Sequence, residues 1–129
     1  MEKLKIINNK NIEVWKFDFQ KSKSNKLFNL VETGKKTATS YLFNNEKTIN
    51  KFSYLTNYDC SKTILLETVM AFKCKFSEIN AAMAELEGEG DFAYWKKEHK
   101  KFFSSELKHE EFNEDVKIIF EIFKVVKIC

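Results

Sequence analysis

At 129 residues, 43% hydrophobic and 15% aromatic, the chain has apolar matter for one core and too little length for two; a single domain over residues 1–129 is expected. Charged residues are 32% and scattered, so no run of about 18 apolar residues could span a membrane, and residues 1–10 lack the apolar stretch of a secretory leader; a cytoplasmic protein with no membrane partner is expected. The net charge of +3 (22 basic, 19 acidic) permits an RNA partner without demanding one, and because every basic residue is Lys, an anion would be held by point charges or backbone amides, not by a guanidinium fork.

Residues 12–19 fit either a strand or a loop. From Ser24 to Glu32 the apolar residues Leu27, Leu30 and Val31 recur at helical spacing, with Ser24 as the expected N-cap and Gly34 as the left-handed residue that ends the helix. Residues 36–43, rich in Thr and aromatics, read as extended. Residues 53–58 and 63–76 flank the polar tetrad Asp59-Cys60-Ser61-Lys62 and predict a hairpin whose second arm is long enough to bend or bulge. Ser77 is the expected cap of a helix through Ile79, Met83 and Leu86, which the bend at 87–91 interrupts. Asp91 then caps a second helix carrying Phe92, Trp95, Phe102, Phe103 and Leu107. Residues 116–128 are β-branched and aromatic and read as a well-buried strand. Strands with interspersed short helices argue an α+β fold, a small curled sheet or barrel.

Cys60, Cys74 and Cys129 are odd in number and form no CxxC pair, so reduced thiols are expected. His99 and His109 stand far from them in sequence; no structural zinc, no other metal and no cofactor are expected. Three constellations could carry chemistry. The run Gly34-Lys35-Lys36-Thr37-Ala38-Thr39-Ser40 is not a P-loop, because Asn29 stands where the second Gly is needed and Lys36 where a Ser or Thr must follow the Lys. On residue types alone it is a helix-capping glycine, two solvated lysines and a Thr-rich strand. The run 85–91 sets four carboxylates beside two glycines: it could hold a divalent cation, serve as a general base or balance the lysines across a cleft, or be only a bend with Asp91 as a cap. Trp95 and His99, with Tyr94 alongside, share a helix face that could stack on a base or pack into the core.

Taken together and in order, LVETGKKTATS at 30–40, FSEINAAMAELEGEGDFAYWKKEHKKFF at 76–103 and FEIFKVV at 120–126 resemble the ASCH family, in its small stand-alone bacterial branch, over residues 14–128. The resemblance implies a PUA-like fold, a small β-barrel flanked by short helices, with a cleft for RNA or a modified nucleoside. Similar small ASCH proteins include amidohydrolases that deacylate acetylcytidine with a Lys, a Thr and a Glu, which fall by motif on Lys36, Thr39 and Glu87; others are ribonucleases. Ligand contacts are then expected from Lys35, Thr37, Ser40, Glu89, Asp91, Trp95, Lys96 and His99. Two other readings stay open: an RNA-binding module without catalysis, and a metal-dependent ribonuclease in which Glu87, Glu89 and Asp91 converge on a cation. Oligomeric state is open between monomer and homodimer. The chain departs from the family in having neither Pro nor Gly at 49–53, and in placing Lys96 after the Trp where Arg is common, which exchanges a bidentate anion contact for a point charge. Residues three apart on a regular strand face opposite ways, so Lys36 and Thr39 converge only if the chain turns between them; on a straight strand Lys35, Thr37 and Thr39 would share a face instead.

Overall fold

The computed structural model describes residues 1–8, 11–17, 19–107 and 111–129; His109 lies outside the described residues. In chain order the elements are strands β1 (Glu2–Lys3), β2 (Ile6–Ile7) and β3 (Glu13–Trp15), helix α1 (Lys21–Glu32), strands β4 (Ala38–Leu42), β5 (Ile49–Asn50), β6 (Phe52–Thr56) and β7 (Thr63–Lys75), a 3-10 turn (Phe76–Glu78), helices α2 (Ala81–Glu87) and α3 (Phe92–Leu107), and strand β8 (Lys117–Ile128). The main sheet runs β3-β6-β7-β8-β4, with β1 added to β7 and β2 paired separately with β5. The fold is mixed α+β, a curled half-barrel sheet with three helices among the described residues.

The curl has a local cause. β7 and β8 are the two longest strands, and their register slips between Leu65 and Leu66 and again between Thr68 and Met70. Each slip bends the pair and adds twist, as expected of an arm this long. The pleat of β8 then serves three apolar clusters. Ile118 and Phe120 face a cluster with Ala38, Phe76, Trp95 and Phe103, while Phe123 joins Leu27, Phe28, Val31, Leu55, Ile64 and Leu66 under α1. Ile119 packs with Ala71 and Ile49. Glu121, between Ile119 and Phe123 on the same face, is the polar exception in that row.

Several expectations are corrected. Ser24 does not cap α1; the helix starts one turn earlier, Ser24 N–H reaches Gln20 O at 2.9 Å, and the side chain is buried inside the helix. Ser77 does not cap α2, because it lies inside the 3-10 turn and the extended Ile79 follows, so the helix begins only at Ala81; Asn80 is the cap, its Oδ1 accepting Met83 N–H at 2.9 Å. The run expected as a strand forms β8, Lys117–Ile128, yet it is buried only as far as Phe123: β4 pairs with β8 no further than Ile122, and Val125, Val126 and Ile128 are exposed. Residues 49–53, without Pro or Gly, form β5 and the start of β6 in place of a turn. The hairpin, the Gly34 helix end (φ 80) and the Asp91 cap, whose Oδ1 accepts Tyr94 N–H at 2.8 Å, are as the residues predict. No helix among the described residues is long and apolar enough to cross a membrane.

Candidate functional site

The basic run after α1 and the acidic glycine bend meet. Gly34 turns the chain at the helix end, and Lys36 N–H bonds back to Leu30 O at 2.9 Å, which aims the following residues at the C-terminus of α2. Thr37 seals the junction, its N–H and hydroxyl both donating to Leu86 O at 2.8 and 3.2 Å. Gly88 makes this approach possible: its φ is 66, and a Cβ there would lie 2.4 Å from the carbonyl oxygen of Lys35. Only a residue without a side chain fits both the left-handed backbone and the contact.

Across this junction Lys36 is buried at 1% exposure and its Nζ has three acceptors: Glu89 Oε2 at 2.7 Å, Glu87 Oε1 at 3.3 Å and the Glu87 carbonyl at 3.3 Å. Glu87 has no solvent exposure, and its second oxygen accepts Trp95 Nε1–H at 2.8 Å and Ser40 Oγ–H at 2.9 Å. His99 stacks on the Trp95 ring, centroids 4.3 Å apart, with Nδ1 2.9 Å from Trp95 O and Nε2 3.3 Å from Glu87 Oε1. Burial alone would push the Glu87 carboxyl up. The Lys36 charge and the hydrogen bonds from His99 and Trp95 outweigh it and hold the group well below the usual carboxylate range. A buried ion pair persists when its lone pairs and protons are satisfied in this way.

The cluster forms part of the wall of a cavity of about 260 Å³. Lys36, Thr39, Ser40, Glu87, Glu89 and His99 line it, together with an aromatic surface of Trp15, Phe17, Phe19 and Phe102. A second polar group lies further along β4: Tyr41 and Glu121, with Glu13, Lys47, Asn50 and Ser53. The bend lies at residues 33–35, ahead of Lys36, and β4 begins at Ala38; Lys36 and Thr39 nevertheless both line the cavity. The set Lys35, Thr37 and Thr39 is not assembled, because Lys35 is exposed and Thr37 is tied to Leu86.

Lys35, Thr37, Asp91, Trp95 and Lys96 do not line the cavity. Asp91 is engaged as the cap of α3. Trp95 is 1% exposed, stacked between His99 and Phe76, so its ring is core and its contribution is the indole N–H given to Glu87. Lys96 is exposed and lies over the Phe92 ring at 4.6 Å. For the cation reading, Glu87 and Glu89 are joined by His99 and not by Asp91, their ligand atoms lying within 4.8 Å of one another. The Lys36 ammonium already stands against both carboxylates of that trio.

Sequence reasoning missed Trp15, Phe17, Phe19, Tyr41 and Glu121. The period-two spacing of the first three was a usable signal, since it puts three aromatic side chains on one side of an extended segment. Glu121 could be flagged as the single carboxylate inside the apolar run 118–123. What neither signal could give is that the two segments face one another.

Known proteins agree with this architecture. A family model for the ASCH domain matches residues 13–127. The crystal structure of an ASCH domain from Lactobacillus crispatus superposes with a TM-score of 0.81 at 26% identity, covering 90% of this chain and 80% of that one. That of a protein from Enterococcus faecalis does so with a TM-score of 0.80 at 24% identity, covering 90% and 77%. No curated protein matches. The extent of the match to the family model, nearly the whole chain, places this protein in the ASCH domain family.

Proposed function

We propose that this ASCH domain binds a nucleoside in its cavity and hydrolyses an exocyclic acyl amide from it, acylated cytidine being the substrate class. The observation that carries the reading is the buried Lys36 ammonium held by Glu87 and Glu89 on the same cavity wall as Thr39, beside an aromatic surface suited to a planar base. In this reading Lys36 passes one proton to Glu89 across their 2.7 Å contact and, now neutral, takes the proton of the Thr39 hydroxyl as that oxygen attacks the acyl carbon. Glu89 returns its proton to the departing amine nitrogen, releasing cytidine. Water then attacks the acyl ester on Thr39 and frees the carboxylic acid. Glu87, held ionised by its donors, anchors Lys36 in this reading. Serine 40, Trp95 and His99 act through Glu87 as positioning residues.

The test is incubation with N4-acetylcytidine, in the presence and absence of a chelator, with the product resolved by chromatography. Cytidine should appear in both, and Thr39→Ala and Lys36→Ala should each lower kcat by a factor of about 100 or more. Loss of turnover with chelator would favour the metal-dependent reading. A second reading, binding without catalysis, has its own support in Lys16, Lys23 and Lys47, which also line the cavity. It would be preferred if no acylated cytidine turns over while short single-stranded RNA is retained with an affinity that falls steeply as salt is added.

A further inference from the structure

The mechanism leaves Glu121 unused, and its setting is unusual. It projects from β8 directly across from Thr39, the two being register partners in the antiparallel β4–β8 pair, so their side chains are neighbours on the cavity face. Both carboxylate oxygens are fixed by hydroxyls from the flanking strands: Tyr41 O–H donates to Oε2 at 2.7 Å and Thr68 O–H to Oε1 at 2.6 Å. Each oxygen of an ionised carboxylate can accept a further hydrogen bond. The two hydroxyls therefore set the direction of the group without exhausting it. Tyr41 keeps its proton to do this: burial, and then the neighbouring Glu121, push its phenol far above the ordinary value. Glu13 and Ser53 line the same part of the cavity, so this region is rich in acceptors.

A rigid, acceptor-rich carboxylate matches a ligand that brings hydroxyl donors. Glu121 lies across the strand pair from Thr39, and its Oε2 accepts from Tyr41, two residues further along β4, which sets the carboxylate beside the reacting centre. We propose that Glu121, clamped by Tyr41 and Thr68, is a subsite for the vicinal diol of the ligand's sugar, so that the cavity selects ribonucleosides over their 2′-deoxy forms. The inference rests on the nucleoside reading above and adds the sugar to it. An alternative use of Glu121, as a base for Thr39, has no support in the observed hydrogen bonds, which run to Tyr41 and Thr68 and not to the threonine.

The experiment is calorimetric titration of the full chain with cytidine and with 2′-deoxycytidine, for wild type, Glu121→Gln and Tyr41→Phe. Wild type should bind cytidine about tenfold or more tightly than the deoxynucleoside, as one hydrogen bond to a charged group allows. In Glu121→Gln that ratio should fall to about threefold or less, cytidine losing more affinity than 2′-deoxycytidine, which keeps only one of the two hydroxyls. Tyr41→Phe keeps the ring and the carboxylate but frees Oε2, and should lower the ratio part of the way; it decides the matter if Glu121→Gln fails to fold. Equal affinity of wild type for the two nucleosides, or a ratio unchanged in the variant that folds, overturns the diol subsite and leaves the nucleoside reading standing. Absence of binding by either nucleoside overturns both.

Discussion

Glu87 is fully buried, yet it is held as a carboxylate by Lys36, Ser40, Trp95 and His99, which reach it from β4, from the segment before it and from α3. The balance is between desolvation, which favours the neutral acid, and charge with directed hydrogen bonds, which favour the anion. Because the folded group titrates below its ordinary value of 4.5, it stabilises the fold fully above that pH and loses the contribution as the pH falls towards its folded value. Urea unfolding of wild type should therefore show stability dropping between about pH 4.5 and 2, with a shallower slope in Glu87→Gln, which has no proton to take up there. Equal slopes would mean that Glu87 is not the buried anion described. The Lys36 side was partly legible beforehand, since GKKTATS and ELEGEGD carry opposite charges. The Trp95 contribution was not, because an aromatic at helical spacing looks the same whether its N–H meets a ligand or a buried carboxylate.

At the scale of elements, the cavity depends on two helix ends. Gly34 and Gly88 both take left-handed backbone after a helix, and residue pattern alone reads them alike. Their surroundings differ: a Cβ at Gly34 would meet nothing within 4 Å, whereas at Gly88 it would strike the Lys35 carbonyl at 2.4 Å. Gly34→Ala should cost about 1–2 kcal/mol, the penalty of the left-handed conformation. Gly88→Ala should cost about 1–3 kcal/mol more, as overpacking against backbone does, and should weaken ligand binding by separating Lys36 from Glu87. Equilibrium unfolding of the two variants side by side checks the difference; equal costs would contradict the junction. The helix caps show where local reasoning stops. Asp91 was readable because a glycine pair precedes it and an aromatic run follows, but Ser77 and Asn80 are both competent caps three residues apart. The cap is Asn80 because Ser77 is taken up in the 3-10 turn, whose backbone is held by Glu114 O from another part of the chain, and the helix begins only at Ala81.

At the scale of the molecule, the curled sheet brings β4 and β8 side by side, and residues far apart in sequence, from Trp15 to Glu121, share one cavity. The β-branched and aromatic residues of 116–128 announced a strand, and family likeness implied a small barrel. Which of its faces held Glu121, and that Trp15, Phe17 and Phe19 cover the pocket, followed only from register and bulges, which are properties of paired strands and not of any one segment. The account as a whole stands on a single shared pocket between the lysine segment after α1 and the glutamate bend after α2. Its most direct test is an amide-resolved NMR titration of the isotopically labelled chain with N4-acetylcytidine and the Lys36→Ala variant as comparison. The account predicts saturable shifts at the amides of Lys36, Thr39, Tyr41, Glu87 and Glu89 and at the Trp15 indole, strongly reduced in the variant. Shifts confined to the exposed end of β8 around Val126, or no shifts at all, would contradict it.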